Sequence, residues 1–560
     1  MPMHSSVLNR IGFSTTARRT TGKGLSRHLR QFARMRNAAA AALFAAAALL
    51  CFFTFPALAA PTGLRVGIYS GTGAESSTIL AVFRAVAAMG YSPMAITKSD
   101  IVNGRLTRSN FDVLLIPPGE DGKKCCAGHY SDIDGLDQIA TKQAMRDYLT
   151  SGGGLVAEEA GAFFTAQNGG TFDVYAGNYT NVTTSIGKKT FTIVDPAFGS
   201  GSQEVWQSYG GGYFATPPAS VSVVARDSSN NAVIVRQAYG AGRIIMTSYM
   251  LELRGDSELD WTIWDNWAMG GVHNNSVGAW IMLGRMIGFA YNGDSSTPAI
   301  NPPANPPGQR VAVVAQHTTD GGAWPGLLPA VARGIEFSGH IPLAIRFQEI
   351  KDGRLTLANF KVVTFPGGYS YGYKTGLAGY EDNIRNFISS GGSYYGICAG
   401  SFYAPSSITW LGKTYAYPLG IYKGTDIGPI DDIAPWPQYV LTPINFSGDP
   451  VIGNVGTINA MYYGGGYHTI PTDAQQGSHV YTAGIFAYSG SATGKADLVR
   501  YSYGLGRVAL TTTHLEARAG TNADWLYWDD YLDSSSTPVT NPDNPWLVMS
   551  AIFNNWLTLP

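Results

Sequence analysis

Short apolar runs alternate with amphipathic stretches along most of this chain, and the same alternation occurs twice. Each half opens on an apolar run, RVGIYS at 65–70 and RVAVVA at 310–315. The helical patterns lie at 77–89, 137–150, 327–337 and 381–389. Strands that alternate with helices predict a mostly parallel sheet with helices on both faces. The segments 170–240 and 410–500 are instead rich in Tyr, Gly and Thr, which favours short antiparallel strands.

Five segments of the first half recur in the second half in the same order, about 245 residues later. The pairs are GRLTRSNF (104–111) and GRLTLANF (353–360), VLLIPPG (113–119) and VVTFPGG (362–368), SGGGLVAEEAG (151–161) and SGGSYYGICAG (390–400), YGGGY (209–213 and 463–467), and GRIIMTSYMLELR (242–254) and GRVALTTTHLEAR (506–518). Each copy then reaches an Asp-Trp-x-x-Trp-Asp motif. A period of this length is too long for a solenoid, so we predict two homologous domains. The first covers 62–291 and the second 310–560, and the Pro-rich segment 292–309 links them.

The N-terminal segment has the organisation of an export signal. Residues 1–36 contain eight Lys or Arg and no acidic residue, and 37–60 form an uncharged, Ala-rich run that includes Ala57-Leu58-Ala59. This pattern predicts a signal peptide at 1–60 with a basic N-terminal extension, and therefore a periplasmic or secreted protein. An uncleaved N-terminal anchor is the alternative, and we expect no other contact with a membrane.

Composition and charge narrow the classes of function. Only 14% of the residues are charged and the chain contains 68 glycines, which indicates a folded, loop-rich protein rather than a disordered one. Beyond residue 36 the chain holds 30 basic and 39 acidic side chains. An acidic protein lacks the basic surface that neutralises phosphates, so we expect no nucleic-acid partner.

The strongest candidate site lies in the second repeat, where Cys398 follows an apolar run and precedes Ala399 and Gly400. Small residues on both sides of a cysteine permit a tight strand-to-helix turn that lifts its side chain above the edge of the sheet. A sulfur at a helix N-terminus is favoured as the thiolate, the nucleophilic form. A buried structural cysteine is the alternative interpretation.

His514 and Glu516 follow the last apolar run of the same repeat, RVALTTT at 507–513. A spacing of two residues in extended chain places both side chains on one face. The carboxylate can then orient the imidazole, and the imidazole can accept the proton of a thiol. Together with Cys398, the pair predicts a Cys-His-Glu triad.

GGSYYGICAGSFYA at 391–404, FPGG at 365–368 and THLE at 513–516 resemble class I glutamine amidotransferase-like domains. Within that superfamily they look most similar to the biotin-protein ligase N-terminal domain family. The resemblance covers the second repeat and, more faintly, the first. It implies an α/β fold of two tandem flavodoxin-like three-layer sandwich domains with mostly parallel sheets.

The same resemblance implies roles for particular residues. Cys398 would be the nucleophile, His514 the general base and acid, and Glu516 the carboxylate that orients the imidazole. The oxyanion hole would be formed by backbone N–H groups of Gly367, Gly368 and Ala399.

Two departures from the family pattern bear on the activity. Leu515 stands where the family often has Pro, and the chain continues to Pro560 without a ligase catalytic domain, so we do not expect a biotin ligase. Glutamine amidotransferases pass ammonia to a synthase, and an exported protein has no obvious acceptor. We therefore favour plain hydrolysis.

The first repeat is predicted to lack the triad. Its Glu159 aligns with Cys398 and its Met250 with His514, whereas Glu252 matches Glu516. We interpret this repeat as a degenerate copy that serves packing or ligand binding.

Other polar residues give weaker signals. Cys125 and Cys126 could form a vicinal disulfide or cap a loop, and too few other ligands lie near them for a metal site. His468 follows the second YGGGY and could line the pocket. We expect no metal and no cofactor.

The sequence therefore supports an exported cysteine-dependent hydrolase that cleaves an amide or related acyl bond in a small-molecule or peptide-like substrate. The main alternative is a non-catalytic tandem-domain binding protein in which the triad is vestigial. A redox sensor that uses the Cys398 thiol is a lesser alternative.

Overall fold

The computed structural model describes residues 63–119, 138–168, 172–182, 186–208, 210–254, 258–263, 276–518, 523–527, 541 and 543–559. The predicted signal segment 1–60 and the pair Cys125 and Cys126 lie outside these residues. Both repeats belong to one compact unit, residues 59–560.

An eleven-stranded sheet forms the core of the first repeat. Its strands are β1 (Arg65–Tyr69), β2 (Ser92–Ile96), β3 (Val113–Ile116), β4 (Gly154–Glu158), β5 (Asn178–Asn181), β6 (Gly187–Ile193), β7 (Ser202–Gln207), β8 (Gly212–Ala215), β9 (Ser222–Asp227), β10 (Ala232–Tyr239) and β11 (Gly242–Thr247). Five of them pair in parallel in the order β2-β1-β3-β4-β11, which is the flavodoxin-like order. β5 to β10 extend this sheet with antiparallel pairs, as the composition of this segment predicts.

The second repeat has the same plan. Its strands are β12 (Arg310–Val314), β13 (His317–Thr318), β14 (Gly321–Ala323), β15 (Ile341–Ile345), β16 (Val362–Phe365), β17 (Gly368–Tyr369), β18 (Ser393–Ile397), β19 (Ser407–Trp410), β20 (Lys413–Ala416), β21 (Asp426–Gly428), β22 (Tyr439–Asn445), β23 (Thr457–Tyr463), β24 (Tyr467–His468), β25 (Tyr481–Phe486), β26 (Ala496–Tyr503) and β27 (Gly506–Thr511). The parallel part has the order β15-β12-β16-β18-β27. β13, β14 and β17 form a small separate sheet.

Helices connect the parallel strands, so the predicted α/β class is confirmed. They are α1 (Ser76–Ala88), α2 (Lys98–Val102), α3 (Ile139–Thr150), α4 (Ala160–Thr165), α5 (Ser276–Asn292), α6 (Leu328–Phe337), α7 (Phe347–Lys351), α8 (Ser370–Gly376), α9 (Glu381–Ser389), α10 (Ala399–Tyr403), α11 (Asp473–Gln476) and α12 (Trp546–Ile552), with a 3₁₀ turn at Pro196–Phe198 and a π-helical turn at Phe553–Leu557. Within the described ranges, no helix is both long and apolar enough to span a bilayer.

The Asp-Trp motifs join the two repeats through reciprocal contacts. The N–H of Ala344 in β15 donates to the carbonyl oxygen of Trp261 at 2.9 Å, and the N–H of Ala95 in β2 donates to that of Trp525 at 2.8 Å. β2 and β15 are the outer strands of the two parallel sheets. Each repeat therefore covers an open sheet edge of the other, which protects both edges from pairing with another chain.

Arg84 of α1 reinforces this interface from within. Its guanidinium pairs with Glu336 of α6 at 2.9 Å and lies 4.4 Å from the ring centre of Trp261. It also donates to the carbonyl oxygens of Leu259 at 3.2 Å and Pro303 at 2.6 Å. The Arg84 side chain is fully buried, so each of these contacts replaces a hydrogen bond that water would otherwise supply.

Candidate active site

Cys398 occupies a sharp turn between β18 and α10, at the carboxyl end of the parallel strands. Its φ of 47° and ψ of −104° are rare for an L-residue and cost on the order of 1–3 kcal/mol. The glycines around it permit the turn: a Cβ at Gly396 would lie 2.7 Å from the carbonyl oxygen of Gly400, and one at Gly400 would collide with the carbonyl oxygen of Phe365. The turn leaves Cys398 only 6% exposed.

The segment after β27 brings His514 and Glu516 to the same edge of the sheet. The backbone N–H of His514 donates to the carbonyl oxygen of Met461 at 2.8 Å, and its Nδ1 donates to Oε1 of Glu516 at 2.8 Å. The carbonyl oxygen of Glu516 accepts from Nε1 of Trp546 in α12 at 2.6 Å. Because these bonds fix both residues, Nε2 is the ring nitrogen that remains for chemistry.

Cys398 and His514 line one small cavity, together with Trp324, Gly368 and Tyr463. The sulfur of Cys398 lies 3.8 Å from the carbonyl oxygen of Tyr463. Nε2 of His514 is buried and has no hydrogen-bond partner among the described residues. In an enzyme without its substrate, the hydrogen bond between a catalytic nucleophile and its base is often long, and it commonly shortens only when substrate binds.

The surroundings of His514 favour its charged form. Burial lowers the pKa of the imidazole, but Glu516 and Cys398 outweigh burial and raise this pKa to about 10. At neutral pH the ring is therefore an imidazolium that lies between a carboxylate and the sulfur.

The three residues assigned to the oxyanion hole lie beside this pair. Gly368 and Ala399 line the cavity that contains Cys398. Gly367 lies against the ring of His514, where a Cβ would collide with the imidazole. Ala399 is the first residue of α10, so its N–H has no intrahelical acceptor.

The first repeat repeats the turn but carries a different side chain. Glu159 has φ 46° and ψ −107°, within a few degrees of Cys398. Its Oε1 accepts from the N–H of Ser208 at 2.5 Å and its Oε2 from Oγ of Ser208 at 2.6 Å. The carboxyl group of Glu159 is therefore held by two hydrogen bonds, whereas the thiol of Cys398 in the second repeat faces a cavity.

Met250 occupies the position of His514. Its N–H donates to the carbonyl oxygen of Trp206 at 2.9 Å, the counterpart of the bond from His514 to Met461. Glu252, the counterpart of Glu516, is fully buried, and neither of its carboxyl oxygens has a hydrogen-bond partner in the described structure.

Three neighbouring carboxyl groups of the first repeat are held in their neutral form. Burial raises the pKa of Glu158 and of Glu159 to about 8 each, and it raises the pKa of Glu252 well above the ordinary value. Glu252 occupies the position of Glu516, but a neutral carboxylic acid could not stabilise an imidazolium there at neutral pH. The first repeat accordingly has Met250, not a histidine, at the position of His514.

A second polar network lies behind the Cys398 turn, and only His468 of its members stands out in the sequence. Nδ1 of His468 donates to Oδ1 of Asp426 at 2.6 Å, and Oγ of Ser401 donates to Oδ2 of Asp426 at 2.7 Å. Burial lowers the pKa of His468, but Asp426 and Asp497 outweigh burial and raise it. The network is buried on every side.

Asp497 lies near this network and bonds to the segment that precedes His514. It accepts from Oγ1 of Thr512 at 2.8 Å, from the N–H of Thr513 at 2.9 Å and from Oγ1 of Thr513 at 3.0 Å. Ser401, which bonds to Asp426, lies three residues after Cys398 in the chain. The two aspartates thus bond to the two segments that carry the sulfur and the imidazole, and both act on His468, Asp426 through a hydrogen bond and Asp497 through its charge.

The first repeat has apolar or aromatic residues at all four positions of the network. The pairing of β24 with β21 and β26 matches that of β8 with β5 and β10. These registers place Tyr179, Phe214 and Val233 opposite Asp426, His468 and Asp497, and the shared turn places Ala162 opposite Ser401. The difference between YGGGYH and YGGGYF is the sequence signal that could have revealed the network.

An aromatic cavity of about 280 Å³ opens beside Cys398. Its walls include Phe402 of α10, Trp410 of β19 and Tyr463 of β23, together with Tyr417 and Trp436 from loops of the second repeat. The sequence signals no particular role for these residues. In the described residues, no cluster of His, Cys, Asp and Glu could hold a metal ion.

Comparison with known proteins confirms the predicted resemblance. Residues 357–424 match the model of the family described as biotin-protein ligase, N terminal. This segment includes the Cys398 turn and ends before His514. No curated protein matches the chain.

Several solved structures are similar to part of the chain. A protein from Thermoplasma acidophilum described as a putative GMP synthase component is 11% identical, covers 40% of this chain and 95% of its own, and has a TM-score of 0.27. PurLQS from Thermotoga maritima is 14% identical over 40% of this chain and 99% of its own, with a TM-score of 0.28. A putative ThuA-like protein from Bacteroides uniformis is 13% identical over 35% of this chain and 86% of its own, with a TM-score of 0.24.

Proposed function

Since the second repeat resembles the class I glutamine amidotransferase-like domains of the biotin-protein ligase N-terminal family, we propose that it is a cysteine-dependent hydrolase of an amide or related acyl bond. The observation that carries the proposal is the shared cavity of Cys398 and His514, in which Glu516 holds Nδ1 and leaves Nε2 without a partner. The first repeat, with Glu159 and Met250 in place of these groups, serves as the degenerate partner.

The reaction follows from the atoms that this site offers. The sulfur of Cys398 attacks the carbonyl carbon of the substrate as a thiolate, because the proton of the pair is already held at Nε2 of the His514 imidazolium. Collapse of the tetrahedral intermediate breaks the bond to the leaving group, which takes that proton from His514. Water then attacks the thioester and gives one proton to the neutral His514, and the sulfur leaves as the thiolate, which restores the starting pair.

Glu516 and the backbone amides have supporting roles in this mechanism. Glu516 keeps the ring oriented and stabilises the imidazolium as it forms. The N–H groups of Gly367, Gly368 and Ala399 are the proposed donors to the oxyanion. One such donor typically contributes about 3 kcal/mol to the stability of the transition state.

The proposal includes export and hydrolysis rather than transfer. The basic segment 1–36 and the Ala-rich run 37–60 support removal of a signal peptide, and N-terminal sequencing of the protein recovered outside the cytoplasm tests it. A mature protein that begins within the first 36 residues would contradict cleavage.

A burst of product from an activated ester tests the catalytic proposal. With p-nitrophenyl acetate in excess, we expect one p-nitrophenolate per chain in a fast phase and an acetyl group on the Cys398 peptide. Cys398→Ala should abolish both signals. A burst that survives in Cys398→Ala, or no acetylation of Cys398, would favour the non-catalytic binding protein instead.

A further inference from the structure

The cavity beside Cys398 is uncharged and aromatic. Among the described residues that line it there is no Asp, Glu, Lys or Arg, and most of the walls are rings. Its volume of about 280 Å³ lies near the lower end of the roughly 300–1,000 Å³ typical of small-molecule sites. A small molecule rather than a folded protein is therefore the fitting occupant.

The rings form a continuous wall that begins at the catalytic imidazole. Tyr463 lies 6.4 Å from His514 between ring centres, and Trp436 stacks on Tyr463 at 5.4 Å with an angle of 27°. Trp410 meets Trp436 edge-on at 5.8 Å. Phe402 closes the row at 5.5 Å from Trp410. A substrate whose carbonyl carbon lies at Cys398 would extend its adjoining group along these rings.

We infer that the substrate is an uncharged amide or ester whose acyl group carries an aromatic ring, and this inference rests on the proposed function. A charge is unfavourable in a buried site that holds no counter-charge for it, and free glutamine would bring both an ammonium and a carboxylate. An aromatic guest instead gains stacking and edge contacts with the walls. The site thus selects a flat, neutral acyl group.

Alkylating reagents of one reactive type test this selectivity without knowledge of the natural substrate. The probes are iodoacetamide, N-phenyliodoacetamide and iodoacetate, and the rate of modification of the Cys398 peptide is compared with that of glutathione. For each probe we take the ratio of the rate with Cys398 to the rate with glutathione. We expect this ratio to be at least tenfold higher for N-phenyliodoacetamide than for iodoacetamide, and about tenfold lower for iodoacetate than for iodoacetamide.

Variants of the wall distinguish this inference from the proposed function. Trp410→Ala and Trp436→Ala should each remove most of the phenyl preference, measured as the ratio of the N-phenyliodoacetamide rate to the iodoacetamide rate, while Trp410→Phe should retain this ratio. Equal relative rates for the three probes in the wild type would overturn the aromatic acyl group but not the reactive thiol. A Cys398 inert to all three would overturn the proposed function and this inference with it.

A second inference concerns the buried residues Asp426 and His468 and rests on a separate observation, the comparison with the first repeat. The first repeat builds the same sheet registers with Tyr179, Phe214 and Val233 at these places. The fold therefore does not require a buried histidine and two buried aspartates, which are costly groups to desolvate. The network occurs in the repeat that has the cysteine and the histidine.

We propose that Asp426, His468 and Asp497 are positioning residues for the proposed reaction. Asp426 bonds through Ser401 to the helix that follows Cys398, and Asp497 bonds through Thr512 and Thr513 to the segment that precedes His514. The two halves meet where His468, which is bonded to Asp426, pairs in β24 with the strand β26 that carries Asp497. The network thus sets the distance and angle between the sulfur and the imidazole. A misplacement of about 1 Å in such a pair can slow a reaction about a hundredfold.

Small substitutions at the two ends of the network test this role. Ser401→Ala and Thr513→Val remove one hydrogen bond each, and Ser491→Ala removes a matched bond to the exposed Asp432. We expect the first two to lower kcat for p-nitrophenyl acetate at least tenfold, with KM within twofold and little change in melting temperature. Ser401→Thr, which keeps the hydroxyl, should restore most of the rate.

The opposite pattern would contradict the proposal. If Ser401→Ala and Thr513→Val lower the melting temperature but acylate Cys398 at the wild-type rate, the network is structural. Equal rates in Ser401→Ala, Thr513→Val and the Ser491→Ala control would contradict it as well.

Discussion

Glu159 and Cys398 share a backbone conformation that few L-residues adopt, with φ and ψ of 46° and −107° in one and 47° and −104° in the other. In both repeats the turn is followed by a glycine, Gly161 or Gly400, whose Cβ would collide with or crowd the preceding parallel strand. The scaffold therefore preserves the turn whether or not its side chain can act as a nucleophile. Activity depends on which groups surround the turn.

The buried carboxyl of Glu159 should make stability depend on pH. Burial raises its pKa to about 8, so the folded state holds a proton that the unfolded state releases near pH 4.5. Its contribution is present below about pH 4.5 and is lost as the pH rises through about 8. Between pH 5 and pH 9, Glu159→Gln should reduce this loss of stability by about 4 kcal/mol, since the three pH units from 5 to 8 correspond to about 1.4 kcal/mol each.

Urea unfolding at pH 5 and pH 9 measures this effect. Glu204→Gln, at a partly exposed carboxylate, is the control and should leave the decline unchanged. An equal decline in Glu159→Gln and in the wild type would show that Glu159 ionises without cost.

A methyl group at Gly367 should displace the imidazole ring of His514. Its Cβ would collide with the imidazole of His514, so Gly367→Ala should lower the rate of acylation by p-nitrophenyl acetate at least tenfold. Gly187→Ala is the matched control, because nothing lies within 4 Å of the position of its Cβ. Wild-type acylation in Gly367→Ala would remove His514 from the mechanism.

Neutralising Glu516 should lower the pKa of His514 below its value of about 10. Burial already opposes the charge on the imidazole, and Glu516→Gln removes the carboxylate that outweighs burial while the amide oxygen can still accept from Nδ1. The raised pKa of His514 contributes to the free energy of unfolding in full below about pH 6.5, and this contribution disappears as the pH rises through about 10. In Glu516→Gln the contribution should disappear at a lower pH.

An NMR titration of the His514 Cε1–H resonance reports this pKa directly. The resonance of His340, which lies in another part of the repeat and bonds to the N–H of Gln309, serves as the internal reference. A midpoint for His514 that is the same in the wild type and in Glu516→Gln would refute the role of the carboxylate.

Removal of Arg84 should loosen the interface between the repeats. Arg84→Ala removes the contact with Trp261 and the donor to the carbonyl oxygens of Leu259 and Pro303, while Arg333 still pairs with Glu336. We expect a loss of about 2–4 kcal/mol in the free energy of unfolding, because buried acceptors lose a charged donor. Asp382→Asn breaks an exposed pair with Arg385 and should cost less than about 1 kcal/mol. Equal losses in chemical denaturation would contradict a special role for Arg84.

Local patterns predicted the parts of this molecule that depend on a few neighbouring residues. The helix at Glu381–Ser389 agrees with its pattern residue for residue, and the Cys398 turn follows from the small residues on either side of it. His514 and Glu516 lie on one face because extended chain alternates its side chains. Alignment of the two repeats predicted that the first repeat lacks the triad, because it showed which of these residues differ between the copies.

Local sequence patterns could not predict contacts between residues that are far apart in the chain. His468 meets Asp426 only because β24 pairs with β21, and Trp410, the last residue of β19, meets Trp436 only through the tertiary packing of the repeat. The reciprocal contacts of Trp261 and Trp525 also depend on how two sheets pack. No periodicity encodes such pairings, because they are set by register and tertiary packing.

The pH dependence of alkylation at Cys398 tests the central claim most directly. The rate for the Cys398 peptide is followed with iodoacetamide between pH 5 and pH 10, in the wild type and in His514→Ala. At pH 7 we expect the wild-type Cys398 peptide to be alkylated at least tenfold faster than that of His514→Ala, because a positively charged neighbour favours the nucleophilic form of a thiol. Equal rates in the wild type and in His514→Ala across the pH range would contradict the triad.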